Sequence, residues 1–171
     1  MQNVPREVEN NFLTLLNFIV DPVVIANAQG RVLLVNDAFE DLTGLSSSDV
    51  IGKIFSELSI LTTESKKVIP KNLKRRMQDL PVSPYEIRFT DKNDEIRYVE
   101  VKAKKISYAG KPADLVIFRD ITRIKKNLAK IKEYSEEMEA LVNDKVKEIK
   151  ESEERYRELT ESISDVFFAM D

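Results

Sequence analysis

The sequence predicts an α+β fold. A five-stranded antiparallel sheet carries short helices on one face, an amphipathic helix precedes it, and a long coiled-coil helix follows. Three observations carry this reading. Strand-like runs come as two, then several small helical segments, then three. Val23 to Ala26 and Ala113 to Phe118 are apolar on consecutive residues, which marks cover on both faces, whereas Tyr85 to Thr90 and Tyr98 to Ile106 alternate as half-buried strands do. From Ile121 a heptad runs without interruption, and no Gly or Pro occurs from Arg123 to Asp171.

The 171 residues allow about one domain and an extension. Residues 1–122 hold 17 basic and 17 acidic side chains, and residues 123–171 hold 10 and 13. A neutral globular part and an acidic tail leave no electrostatic footprint for nucleic acid. The basic start of the tail (Arg123, Lys125, Lys126, Lys130, Lys132) reads as a solvated helix face. There is no Cys, His or Trp. That removes a disulfide framework, an iron–sulfur site, a cysteine nucleophile, His-ligated haem, the usual zinc sites and any His-based triad. No apolar run approaches the ~20 residues of a membrane span, and no signal-peptide pattern opens the chain. A cytoplasmic setting is the expectation, with no metal site.

In order along the chain, Pro5 suits a helix start, and Val8, Phe12, Leu15, Leu16 and Ile19 recur at helical spacing over residues 6–20. Asp21-Pro22 stops that helix. Val23 to Ala26, the turn Asn27-Ala28-Gln29-Gly30 and Arg31 to Val35 form a hairpin whose second cover is the first helix. Asn36 caps a helix with Phe39 and Leu42 inward, and Gly44 ends it. Ser46 to Asp49 resembles a capping box with Asp in place of Glu. Ile54, Phe55 and Leu58 make a third short turn. Residues 59–70 are the least readable stretch, and Asn72 to Leu80 reads as a helix with Leu73, Met77 and Leu80 on one face. Tyr85, Ile87 and Phe89 point inward from the third strand, and Val99, Val101 and Ala103 share one face of the fourth. Ala113 to Phe118 is central in the sheet.

The heptad places Ile121, Ile124, Leu128, Ile131, Ser135, Met138, Val142, Lys145, Ile149, Ser152, Tyr156 and Leu159 at a and d. A helix from Ile121 to Leu159 would span roughly 58 Å. With an apolar stripe and no domain to lie on, it needs a partner, and a parallel homodimer through Ile124, Leu128, Ile131, Met138, Val142 and Ile149 is the simplest. A shift of 144 residues matches Phe12 with Tyr156, Leu15 with Leu159, Ile19 with Ile163 and Asp21 with Asp165. This suggests a second domain cut off at a strand, Val166 to Met170; coincidence between two amphipathic helices is the alternative.

The run "NDAFEDLTGLSSSDVIGK" from Asn36 to Lys53, the hairpin "VVIANAQGRVLLV" before it and the closing "VIFRDIT" resemble a PAS sensory domain. The tail "SEERYRELTESISDVFFAMD" resembles the entry into a second one. The resemblance covers about residues 7–122 and implies spatial strand order 2-1-5-4-3 with helices enclosing a small pocket. The organisation expected is an N-terminal helix over 1–20, a PAS domain over 21–122, a coiled-coil signalling helix over 123–160, and a truncated second PAS domain over 161–171. Where the family often has Asp-Gly between its third and fourth strands, this chain has Asn93-Asp94, and Asn tolerates the left-handed turn. The cysteine of the flavin branch and the His of the haem branch are missing, which argues against both cofactors. PAS domains commonly sit upstream of histidine kinases, cyclases, phosphodiesterases or transcription regulators.

The leading functional expectation is therefore a regulatory input module of a multidomain signalling protein, such as a sensor histidine kinase. The central strand would pass a change through Asp120-Ile121-Thr122 to the dimeric coil and a downstream effector domain. Candidate pocket residues are Phe39, Ile54, Met77, Tyr85, Phe89 and Ile117, for a small apolar or weakly polar ligand; ordinary core packing is the alternative for each. Arg75, Arg76, Arg88 and Arg97 could hold a carboxylate but read more simply as surface residues. Arg31 or Arg123 would pair with Asp120. The rival reading is a ligand-free dimerisation and spacer module. An enzyme is disfavoured, because the acidic pairs Asp37/Glu40 and Glu64/Asp79 lack an accompanying nucleophile or metal-ligand spacing.

Overall fold

The computed structural model describes Phe12 and residues 14–168, with side chains through Thr160. The chain divides into two units, Met1–Lys125 and Lys126–Asp171. In the first, Val23–Asn27 (β1) and Val32–Val35 (β2) pair as the hairpin expected. The Asn27 side-chain oxygen accepts from the N–H groups of Gln29 and Arg31, and Gly30 takes φ 81°. The positive φ favours glycine, and a Cβ at Gly30 would lie 3.1 Å from Leu73 Cδ2, a tight contact that Leu73 would have to relieve by shifting. Asn36 caps Asp37–Thr43 (α1) by accepting from Phe39 N–H, and Gly44 ends that helix in the left-handed region. The Asp49 carboxylate accepts from both the N–H and the hydroxyl of Ser46 at the start of Ser47–Val50 (α2). A 3-10 turn, Phe55–Glu57, follows.

The least readable stretch, residues 59–70, is helical from Thr63 on. Thr63–Met77 (α3) begins within it and ends before Leu80, which is 47% exposed. Pro70 lies inside this helix. A proline there removes a hydrogen bond at a cost of about 3 kcal/mol, so tertiary anchors must hold the helix. One is Ser65, whose buried hydroxyl accepts from Arg88 N–H and donates to Arg88 carbonyl, both at 2.8 Å. Arg88 belongs to Tyr85–Thr90 (β3), an outer strand of the sheet. Thr62 N–H also reaches Arg88 carbonyl, and Thr90 N–H reaches Ile60 carbonyl. The exposed edge of β3 is thus covered by the segment leading into α3.

Ile96–Tyr108 (β4) and Lys111–Asp120 (β5) complete a sheet in the order β2-β1-β5-β4-β3, every pair antiparallel. β5 is central, as its consecutive apolar residues require. In the β3–β4 turn it is Asp94, not Asn93, that takes positive φ, 58°. Asp91 supports that turn by accepting from the N–H groups of Asn93 and Glu95.

Alternation along the strands gives the sheet two apolar faces. Val24, Phe39, Val50, Phe89, Val99 and Phe118 belong to the cluster on the helix side. Leu16, Val23, Ile25, Leu34 and Ala113 form the cluster on the other. The second face is covered by the segment before β1, where residues 14–17 are helical and the chain turns at Phe18. The helix expected over 6–20 thus ends at Asn17, with Phe18 to Val20 already in the turn, and residues 6–11 and 13 lie outside the described residues. Asn36 fastens this cover. Its buried amide donates to the carbonyls of Leu16, Ile19 and Asp21 and accepts from Val23 N–H at 2.8 Å.

Thr122–Phe168 (α4) is one continuous helix of 47 residues, about 70 Å long at 1.5 Å per residue. In the second unit its large apolar a and d side chains are solvent-exposed, from 56% at Val142 and Ile149 to 70% at Tyr156. The strand expected over Val166 to Met170 is not formed through Phe168, where the helix continues. Helix propagation adds a bond per residue, whereas a lone strand there has no partner strand among the described residues. Residues 169–171 lie outside the described residues, as does any start of a second domain there. No helix among the described residues is long and apolar enough to cross a membrane.

Candidate functional site

Between the helix-side face of the sheet and α3 lies a cavity with about 30 Å³ of space for the centre of a water-sized sphere. β1 contributes Val24 and Ala26, and β5 contributes Asp114, Val116 and Phe118. α3 contributes Ile69, Leu73 and Arg76, while Tyr85, Val101, Phe55 and Gly30 close the remaining sides. The wall is apolar except at one end.

That end is a buried ion pair. Arg76 is 7% exposed and Asp114 is 2% exposed. Arg76 Nε donates to Asp114 Oδ1 at 2.8 Å, and Nη2 donates to Oδ2. Burial alone lowers the affinity of the guanidinium for its proton, yet the Asp114 hydrogen bonds and charge outweigh it and hold the Arg76 pKa above its usual value. Burial pushes the neighbouring Tyr85 phenol up despite the Arg76 charge. Arg76 Nη1 is buried and has no hydrogen-bond partner among the described residues.

Of the six side chains expected at a pocket, Tyr85 alone borders this cavity. Phe39 and Phe89 border a smaller void of about 10 Å³ deeper in the core. Ile54 faces a surface groove beside Arg31 and Lys53, and the adjacent Phe55 takes the inward place. Met77 is half-buried at the end of α3, and its carbonyl accepts from Lys105 Nζ at 3.2 Å. Arg76 stands where Met77 was expected, because one residue along a helix is a rotation of about 100°. Ile117 packs on the opposite face of the sheet with Val23 and Ile25, since successive strand residues point to opposite sides. Sequence reasoning missed Asp114 and set Arg76 aside as a surface residue, whereas Arg76 is 7% exposed and holds the Asp114 carboxylate. The available signal was a carboxylate inside a strand read as buried, which demands a cation close by.

A second constellation sits where β5 becomes α4. Asp120 Oδ1 accepts from Thr122 N–H at 2.8 Å. The buried Thr122 hydroxyl does not cap the helix; it accepts from Tyr98 N–H of β4 at 2.9 Å. Ile121 N–H donates to Tyr98 carbonyl at 2.9 Å, so the β4–β5 ladder is carried one step into the helix. The cation set against Asp120 is Arg97 at 3.8 Å, in place of the Arg31 or Arg123 expected; Arg31 donates instead to Gly52 carbonyl. Arg97 also binds Asp91 at 2.7 Å, linking the β3–β4 turn to the domain exit. Desolvation raises the Asp91 pKa, but its bonds from Arg97, Asn93 and Glu95 bring it below the usual carboxylate range. Lys125, in the first turn of α4, reaches Glu86 of β3 at 2.8 Å.

The PAS domain family matches residues 20–123. No curated protein matches the chain. Among solved structures, the PAS domain of an HTR-like protein from Haloarcula marismortui is 21% identical with a TM-score of 0.56, over 68% of this chain and 93% of that one. The PAS domain of a protein from Colwellia psychrerythraea is 21% identical with a TM-score of 0.57, over 68% and 98%. A PAS domain from a two-component sensor histidine kinase is 18% identical with a TM-score of 0.50, over 67% and 98%.

Proposed function

This chain belongs to the PAS domain family, and from that premise we propose that it is the regulatory input module of a multidomain signalling protein. A change in the core passes through Asp120, Ile121 and Thr122 into α4, which pairs with a second copy and carries the change to a downstream effector domain. The observation that carries this is the absence of a loop between sheet and helix: the central strand ends at Asp120, α4 begins at Thr122, and both Ile121 and Thr122 bond to the main chain of Tyr98. A displacement of β4 or β5 therefore moves the first turn of α4. Pairing is supported by the exposed apolar seam, including Ile124, Leu128, Ile131, Met138, Val142 and Ile149. A kinase effector is supported by the similar PAS domain from a two-component sensor histidine kinase.

Two measurements test this reading. Removing residues 123–171 should weaken self-association strongly, and a full chain that sediments as a monomer at about tens of micromolar would overturn the dimer. In the intact parent protein, Asp120→Ala should keep the fold and ligand affinity yet lose regulated output; unchanged regulation removes Asp120 from the mechanism.

The small size of the cavity, about 30 Å³, favours a second reading, in which the domain binds nothing and acts as a dimerisation block and spacer. Native mass spectrometry of the purified protein separates the two. Retained mass from a small apolar or weakly polar molecule supports the input module, and its absence favours the spacer.

A further inference from the structure

The balanced charge of residues 1–122 conceals a segregated surface. Lys66, Lys67, Lys71, Lys74 and Arg75 fall in a stretch of α3 that holds no acidic side chain. Lys67, Lys71, Lys74 and Arg75 are exposed and stand at i, i+4, i+7 and i+8, so they form one stripe. Ser65, Leu73 and Arg76 are buried on the opposite side of the helix. None of the four lysines forms an ion pair among the described residues, whereas Arg88, Arg97 and Lys105 each do. Arg75 donates to the Pro81 carbonyl, which leaves its charge unbalanced. The stripe is about 12 Å long.

Its complement lies in the same sequence. Residues 133–144 of α4 hold Glu133, Glu136, Glu137, Glu139 and Asp144 and no basic side chain. Glu133, Glu136, Glu137 and Asp144 stand at i, i+3, i+4 and i+11, an exposed stripe about 17 Å long. At about 100° per residue this stripe is opposite Ile131, Ser135, Met138 and Val142, so pairing through the seam leaves it in solvent. The carboxylates of α1 match less well, because that helix has seven residues and Glu40 already accepts from Ser47 N–H. Between Thr122 and Asp144, α4 has no Gly, Pro or break at which the helix could turn back. A second copy is therefore the occupant that the sequence supplies.

We propose that the basic face of α3 docks the acidic outer face of residues 133–144 of a second copy. Single exposed ion pairs contribute little, so the dock depends on several acting together and is weakened by salt. The face lacks what other anionic partners use. α3 carries no aromatic side chain to stack on a base, and Pro70 is its one exposed apolar residue, too little to enter a lipid surface. The dock goes beyond the input-module reading and needs no bound ligand. It joins the coil of one copy to a helix that Arg76 fastens to the central strand β5 of another.

Carbodiimide crosslinking of the full chain tests this, because it joins a lysine amine only to a carboxylate that it touches. At ~20 mM NaCl the parent should give peptides linking Lys67, Lys71 or Lys74 to Glu133, Glu136, Glu137 or Asp144, and their yield should fall about fivefold or more at ~0.5 M. Two charge-reversed chains then identify the occupant: Lys67→Glu/Lys71→Glu/Lys74→Glu, and Glu133→Lys/Glu136→Lys/Glu137→Lys. All six positions are helical and exposed, so circular dichroism should match the parent. Each variant alone places like charges on both faces and should lose the crosslink. Co-expressed, the two should regain it, and every such crosslink necessarily joins two copies.

A crosslink in the parent that the co-expressed variants do not regain places α3 against its own chain and overturns the proposal. A yield indifferent to salt overturns it as well. So does the absence of the crosslink from both parent and mixture, whether the stripe then binds an anionic vesicle, an oligonucleotide or nothing. Sedimentation reads seam pairing separately, so a dimer without these crosslinks overturns the dock alone.

Discussion

The hydroxyl of Thr122 grips the main chain of Tyr98, accepting from its N–H at 2.9 Å and donating a longer bond to its carbonyl at 3.4 Å. Tyr98 pairs with Arg88 across β3–β4, and its neighbour Val99 pairs with Asp120 across β4–β5. The side chain thus replaces the residue that would continue β5, and the first turn of α4 is a hydrogen-bonded extension of the sheet.

Thr122→Val keeps the shape and removes the hydroxyl. Tyr98 N–H then loses its partner at a 4% exposed residue, and the cost should be about 1–3 kcal/mol in urea unfolding. Thr122→Ser should retain most of the stability. Equal stability of the Val and Ser variants would show that the bond contributes nothing net.

The Arg76–Asp114 pair makes an asymmetric prediction. Arg76→Leu or Asp114→Leu alone leaves one buried charge without its partner and should cost about 3–5 kcal/mol. The double variant should recover to within about 1–2 kcal/mol of the parent, since apolar replacement of a whole buried pair is often neutral. A double-mutant cycle of chemical denaturation measures the coupling. Additive losses would mean that the two side chains do not act as a pair.

This pair marks the boundary of what the sequence makes legible. Features set by residues close in the chain were readable: the Asn27–Gly30 turn, the Asn36 cap, the Ser46–Asp49 box and the Gly44 stop all form where their spacing puts them. Position in the sheet was readable for β5 because burial on both faces demands consecutive apolar residues. The first half of α3 was hidden, since Pro70 and the polar run from Thr62 to Lys67 mask its periodicity, and what holds it is Ser65 against a strand 23 residues away. The 38-residue separation between Arg76 and Asp114 conceals the pair in the same way. Among the candidate pocket residues, Met77 missed by one helical step and Ile117 by one strand step. Both errors are of phase, and phase is set by tertiary packing.

Asp91 gives a pH dependence with a definite sign. Its carboxyl pKa is below the usual range, so the folded state favours the ionised form more than the unfolded chain does. The stability this contributes is present above the unfolded value of about 3.9 and is lost as pH falls through the folded value. Asp49 and Glu64 are shifted the same way, by Ser46 hydrogen bonding and by the backbone N–H of Glu64 respectively. Unfolding free energy should therefore fall on acidification below about pH 4, and Asp91→Asn should flatten that slope. An identical slope in the variant would remove Asp91 from the acid response.

The helix of the second unit carries two overlapping apolar stripes, and this makes the sharpest prediction about transmission. The heptad seam passes through Ile131, Ser135, Met138 and Val142; a second stripe passes through Ile131, Tyr134, Met138 and Leu141. Every large apolar residue of both stripes is more than half exposed, from Val142 at 56% to Met138 at 66%. Neither stripe is favoured by burial within the chain, so a partner helix decides between them. Ser135, Lys145 and Ser152 interrupt the first seam, which lowers its stability as polar a and d residues do. A small rotation of each helix exchanges Ser135 and Val142 for Tyr134 and Leu141, and two packings of similar energy are what a transmitted switch needs. Ser135→Leu should lock the first register, and Ser135→Glu should favour the second. Single cysteines introduced as Tyr134→Cys, or as Glu136→Cys for an outward-facing control, report the pairing by disulfide crosslinking. Crosslinking through position 134 should be weak beside Ser135→Leu and strong beside Ser135→Glu, with position 136 weak in both. Equal crosslinking at 134 in the two backgrounds would show a single register and make the coil a passive spacer.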